Sequence, residues 1–101
     1  MDRSDPSLLI LASLAGGEKH GYAMVGDIEQ MAGVHLGPGT LYGALARLED
    51  QGLIEPAAAE GRRRPYRITA AGSRALEAQL RTLASVAETG LNRLRAAGAP
   101  A

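Results

Sequence analysis

Apolar positions follow one rhythm over the first half of the chain and its last thirty or so residues, and another in between. The stretch "SLLILASLA", 7–15, is apolar almost throughout, follows Asp5-Pro6 and stops at Gly16-Gly17. A capping acid, a proline at the first helical position and a glycine stop predict a helix. Leucines this dense leave no polar face, so the helix belongs at the centre of a core. A second helix is expected over about 21–32, with Met24, Ile28 and Met31 spaced by four and three on one face and Gly33 as its stop. Gly26 weakens it slightly. In the third, "PGTLYGALARLEDQG", Pro38 fixes the first turn and Leu41, Leu45 and Leu48 form the inward stripe. Gly52 permits a left-handed exit.

After Gly52 the period shortens toward two. The segments "LIEPAA" and "RPYRIT" flank "AEGR", and Tyr66 and Ile68 alternate with Arg67 as in a half-exposed strand, so a small hairpin is expected. Pro56 and Pro65 lack amide donors, which keeps the ribbon narrow. Thr69 then caps a long helix from Ala70 to about Ala97. Its residues Leu76, Leu80, Leu83, Ala87, Leu91 and Leu94 alternate by four and three, close to the heptad seam of helices packed lengthwise. Gly90 interrupts that seam, and the tail "AAGAPA" has nothing to bury and is expected to fray. No repeat, low-complexity block or interdomain linker is visible.

Composition fits one folded domain. At 101 residues a single core buries only about 60 to 70% of the unfolded surface, so a partner subunit would help. Hydrophobic residues make up 46% and charged residues 22%, the balance of a folded rather than a disordered chain. The absence of cysteine removes disulfides and thiolate metal sites and points to a reducing, cytoplasmic setting. The apolar run 8–14 is too short for a membrane span and follows Asp2 and Asp5 rather than a basic segment.

The net charge of zero hides an asymmetry. Residues 1–52 carry three bases against seven acids, while residues 53–101 carry eight arginines against four acids. Four of those eight arginines lie in "RRRPYR", 62–67, which is either a solvated loop or an anion-binding patch. Its surroundings favour the patch. Three helices followed by a two-stranded hairpin is the order of a winged helix-turn-helix, in which the third helix approaches a duplex and the hairpin brings cations to the phosphates beside it. Opposite the leucine stripe lie Thr40, Gly43, Arg47 and the Asp50/Gln51 end, small at the helix start and able to come close to base edges. The fold class expected is therefore mainly α with a small β-hairpin: a winged helix-turn-helix over 1–69, followed over 70–101 by a long C-terminal helix suited to dimerisation.

"ILASLAGGEKHGYAMVGDIE", "LGPGTLYGALARLEDQGLIE" and "RRRPYRITAAGSRAL" together resemble, in order and spacing over roughly residues 8–80, the PadR family of winged-helix transcriptional regulators. With one helix after the hairpin, the chain is similar to the family's short-chain branch. The resemblance implies homodimers that bind palindromic operator DNA, usually as repressors, with the C-terminal helix mediating dimerisation. Carried over by position, it implies that Thr40 and Tyr42 lie at the DNA-facing start of the recognition helix, with Tyr42 near a phosphate. It also implies that Arg47 faces the groove edge and that Arg62, Arg63 and Arg64 belong to the wing. The chain departs from the family's pattern at Gly37, where a serine cap is frequent, at Ala46, where a base is common, and at Pro65, where a longer or aromatic residue is frequent. These departures bear on affinity rather than on fold.

Other residues invite plainer readings. Tyr22 and Tyr66 read as core residues with surface hydroxyls, whereas Tyr42, about 100° round from the inward Leu41, reads as DNA-facing. His20 and His35 lack the cysteine or carboxylate spacing of a metal site and read as structural or surface residues. Asp27 and Glu29 are expected on a solvated face. No Gly-rich phosphate loop, HExxH pattern or Ser-His-Asp arrangement is present, so no enzymatic activity, metal or cofactor is expected. The function expected is a sequence-specific DNA-binding regulator, a repressor on a near-palindromic operator. The alternative is a protein-interaction module whose hairpin arginines grip an acidic protein or other anion while the long helix pairs with a partner. A small-molecule effector at the dimer interface, as the resemblance implies for some relatives, is compatible with the first. Its flat aromatic form is disfavoured here, because the chain has no tryptophan or phenylalanine for stacking.

Overall fold

The computed structural model describes residues 5–59 and 61–98; Asp2, Glu60 of the hairpin and residues 99–101 of the tail expected to fray lie outside them. Helix α1 spans Pro6–Ala15, capped by Asp5, whose side chain accepts the Ser7 N–H at 3.0 Å. Being apolar on every side, it sits where it meets every layer. Leu8, Leu9, Ile10, Leu11 and Leu14 are all buried. Around it pack α2 (Gly21–Ala32), α3 (Pro38–Asp50), α4 (Ala70–Ala96) and the second strand of a hairpin formed by β1 (Ile54–Pro56) and β2 (Tyr66–Ile68).

The glycine stops fall where left-handed backbone is needed. Gly33 ends α2 at φ 66° and Gly52 follows α3 at φ 73°. The inward stripe of α3, Leu41, Leu45 and Leu48 with Ala44, is fully buried. In α2 the inward face is Gly21, Met24 and Ile28. Met31 departs from expectation: it is 48% exposed, because the last turn of α2 overhangs the core and Leu36 of the following loop is buried instead. Asp27 is a second correction. It is half-buried rather than solvated and accepts the hydroxyl hydrogen of buried Ser13 at 2.6 Å. Lys19 Nζ stands 4.0 Å from the same carboxylate and donates to the Ser13 carbonyl at 2.6 Å, which ties the α1–α2 turn to both helices.

β1 and β2 pair antiparallel with Ile54 opposite Ile68, Glu55 opposite Arg67 and Pro56 opposite Tyr66. The hairpin gains a further bridge, on the other side of β2, from the α1–α2 turn. Lys19 N–H donates to the Tyr66 carbonyl at 3.2 Å, and Tyr66 N–H donates to the Lys19 carbonyl at 3.0 Å. The base of the hairpin is locked to α4. Thr69 Oγ1 donates to the Gly52 carbonyl at 2.7 Å and accepts the Gly72 N–H at 3.0 Å, while Thr69 N–H donates to Leu53 O at 3.0 Å. Gly72 packs so closely that a Cβ placed on it would lie 2.0 Å from Leu53 O, so the first turn of α4 admits no larger residue here.

Beyond this lock α4 leaves the body. Its 27 residues make a rod of roughly 40 Å, which gives the molecule its 56 Å long dimension. The helix runs unbroken through Gly90, as expected, so that glycine interrupts the apolar seam and not the helix; one interior glycine costs about 1 kcal/mol relative to alanine, too little to end a helix of this length.

Candidate nucleic-acid interface

The outward side of α3 is open. Thr40, Arg47, Asp50 and Gln51 are exposed and Gly43 is half-buried. A Cβ on Gly43 would meet only Arg47 Nη1, at 3.7 Å, within 4 Å, so among the described residues no other element packs against Gly43. Tyr42 is 57% exposed, and its ring leans over the start of α2: its hydroxyl lies 3.2 Å from where a Cβ on Gly21 would be. Gly21 is what allows this approach.

The hairpin completes a cleft of about 320 Å³ beside Tyr42. Arg62, Arg63 and Arg64 form one wall, with Tyr66 at their foot. His20, Gly21 and Tyr22 at the start of α2 form the other, and Arg63 Nη1 reaches to 3.5 Å from His20 Nε2. The structure thus brings Tyr42 together with the three arginines in one concavity. Thr40, Gly43 and Arg47 lie elsewhere on α3 and are not among its lining residues.

The arginines of the hairpin divide into two electrostatic groups. Arg67 donates through Nε to Glu55 Oε1 at 2.8 Å and stands 3.8 Å from Glu18. The hydrogen bond to Glu55, followed by the charge of Glu55, raises its pKa above the ordinary arginine value. Arg62, Arg63 and Arg64 pair with no carboxylate among the described residues, and all three are exposed. Their charge therefore faces the cleft and the solvent.

The residues expected in the C-terminal seam fall into two sets. Leu76 is buried in the chain's own core and Leu83 packs against that core. Leu80, Ala87, Leu91 and Leu94 are exposed, as is Val86. Among the described residues, no helix is long and apolar enough to cross a membrane, and no group of three His, Asp or Glu side chains is placed to hold a metal ion.

The family model described as Transcriptional regulator PadR-like family matches residues 10–78, from the middle of α1 to the third turn of α4. The chain belongs to this family. It is 48% identical over 84 residues to an uncharacterized 37.1 kDa protein in transposon TN4556 of Streptomyces fradiae; the match takes in 83% of this chain but 24% of that relative, so the chain spans about a quarter of its length. To the transcriptional regulator Rv3488 of Mycobacterium tuberculosis it is 40% identical over 88 residues, covering 84% of this chain and 81% of the relative. Its fold is also similar to Bacillus subtilis PadR, whose structure was solved in complex with operator DNA: TM-score 0.67 at 24% identity, over 78% of this chain and 48% of that one.

The PadR-like frame shows what the residue pattern left out. Tyr22, read as a core residue, is 87% exposed. Gly21, Met24 and Ile28 share the inward face of α2, and Tyr22 lies one step, about 100°, round from Gly21. His20, on its pattern a structural or surface residue, stands on the cleft wall. The available signal was Gly21 itself, a residue without a side chain at the start of a helix in a chain that carries a tyrosine one step past the inward stripe of α3.

Proposed function

We propose that this PadR-like chain is a sequence-specific DNA-binding transcriptional regulator that acts as a homodimeric repressor on a near-palindromic operator. One observation carries the reading: the uncovered side of α3, with Thr40, Gly43 and Arg47, stands beside a cleft in which Tyr42 meets Arg62, Arg63 and Arg64. One surface can then serve a groove and the phosphates next to it. The small residues of α3 allow close approach to base edges, while the arginines contribute charge that is indifferent to sequence. The operator complex of Bacillus subtilis PadR supports DNA as the partner. Residues 1–69 supply the DNA-binding part, and 70–101 supply the dimerisation helix through Leu80, Ala87, Leu91 and Leu94, with Leu76 and Leu83 anchoring that helix to the core.

Selection of bound sequences from a random duplex pool tests this directly. It is expected to return a near-palindrome with half-sites about one turn, ~34 to 36 Å, apart. With roughly 4 to 8 phosphate contacts, log affinity should fall against log salt with a slope of about −4 to −7. A pool that shows no enrichment, together with a flat salt response, would instead favour a protein-interaction module.

A further inference from the structure

The chain has three tyrosines and no phenylalanine or tryptophan, and all three tyrosines line the one cleft beside the hairpin. This is an unusual allocation. The buried core is built from leucine, isoleucine, alanine and one methionine, with no ring among its buried members. Aromatic side chains are large apolar units that ordinarily dominate cores, and a tyrosine set at a surface concavity offers its hydroxyl as a donor there. Around the same space stand three arginines and His20, and no carboxylate lines it among the described residues. Two acids beside the hairpin, Glu55 and Glu18, are drawn to Arg67 instead.

Resting on the DNA-binding reading, we infer that this cleft is a phosphate-oxyanion site for one phosphodiester of the duplex backbone, and that His20 and Tyr22 are binding residues in it alongside Tyr42 and the arginines. Arginines and tyrosines lining one space, with no carboxylate lining it among the described residues, suit a tetrahedral oxyanion with several oxygens to satisfy. The cleft flanks the α3 surface without including Thr40, Gly43 or Arg47, so its contribution fixes the position of the protein along the duplex and carries no base information. Gly21 keeps it open, since a Cβ there would stand 3.2 Å from both the Tyr42 hydroxyl and Leu41 Cδ2.

The test uses the full chain, a duplex recovered by pool selection and a shuffled duplex of the same composition. Tyr22→Phe removes one hydroxyl of an exposed residue and His20→Ala the ring of a half-buried one, and thermal melting should be unchanged for both. Each is expected to weaken binding to both duplexes by roughly tenfold, the scale of one hydrogen bond to a charged group, with the preference between them intact. Wild-type affinity in both variants, while Thr40→Ala still shifts the preference, would overturn the cleft assignment and leave the DNA reading standing. Unequal losses on the two duplexes would also overturn it, because the residue would then be reading bases. A separate arm titrates inorganic phosphate and follows tyrosine emission, since all three tyrosines of the chain line the cleft. Saturable quenching by phosphate in a protein that binds neither duplex would reassign the cleft to a free phosphate ester and sink the DNA reading.

Discussion

Helices α3 and α4 carry the same pattern, leucines alternating by three and four along one face, and meet opposite fates. The stripe of α3 is sealed by α1 and β1, and Leu41, Leu45 and Leu48 are all but inaccessible. The stripe of α4 begins in the same core with Leu76 and then runs out into solvent, leaving Leu91 and Leu94 about half exposed. Periodicity reports that a face is made for burial; it does not say whose surface buries it. A chain of this size has apolar surface for one small core, and α3 and the first turns of α4 exhaust it.

The sharpest way to break the comparison is to truncate one leucine from each helix. Leu45→Ala should cost about 2 to 5 kcal/mol in urea unfolding at any protein concentration, because the cavity lies inside the chain. Leu91→Ala should cost little when the chain is dilute, and its effect should grow with protein concentration as unfolding becomes coupled to association. Equal, concentration-independent losses in the two variants would mean that α4 folds back on its own core in solution and that no partner covers its seam.

The joint between the two regions comes next in size. Gly72→Ala puts a methyl group 2.0 Å from Leu53 O, so either α4 or the base of the hairpin must shift. Overpacking of this kind costs about 1 to 3 kcal/mol, and here it also disturbs the lock that Thr69 makes to Gly52 and Leu53. Urea unfolding measures the cost, and a duplex-binding titration should show weakened affinity, because the arginine wall hangs from the same hairpin. A variant as stable as the parent would show that the close approach relaxes without consequence.

The same contrast explains what could be read from residues alone. The helix ends at Gly33 and Gly52, the Thr69 cap and the stripe of α3 are decided within a few residues of chain, and the pattern states them directly. Tyr22 and Asp27 were misplaced because their surroundings are made by segments far off in sequence, Tyr42 and the hairpin for the first and Ser13 of α1 for the second, whereas Met31 lies on the turn of α2 that overhangs the core, with Leu36 buried instead. The Lys19–Tyr66 rung and the tight seat of Gly72 are likewise contacts between residues far apart in sequence. The candidate site was legible in part, since Tyr42 and the arginines could be named singly. Their convergence with His20 and Tyr22 needed the turn that only the fold provides.

Within the interface, smaller effects should separate position from recognition. Arg63→Ala should weaken binding to every duplex alike, by about 1 to 2 kcal/mol, and lower the salt slope by about one, since it removes a phosphate contact from the cleft wall. Thr40→Ala or Gly43→Asp, on the uncovered side of α3, should instead change the preference among sequences. Anisotropy titrations with two duplexes at three salt concentrations distinguish the two kinds of loss. The reverse assignment of effects would exchange the roles of the cleft and the helix.

The smallest effect is expected at Arg67, the hairpin arginine held by the chain's own acids. Its pair with Glu55 is half exposed on both sides, a setting in which ion pairs add little to stability. Because the folded-state pKa is raised, the pair's contribution is fully present below the unfolded arginine value and is lost only as pH climbs through the folded one. Both values are strongly alkaline, so the arginine imposes no change in stability between roughly pH 6 and 9. Glu55→Gln keeps an oxygen to accept from Nε while removing the negative charge, so the thermal midpoint should stay where it is across that range. The change should appear in binding: with one acid fewer beside the arginine wall, duplex affinity should rise modestly, and the salt slope should steepen by no more than about one. A drop in affinity would show that Glu55 holds the hairpin in its binding posture, and that the division between neutralised and open arginines is mechanical rather than electrostatic.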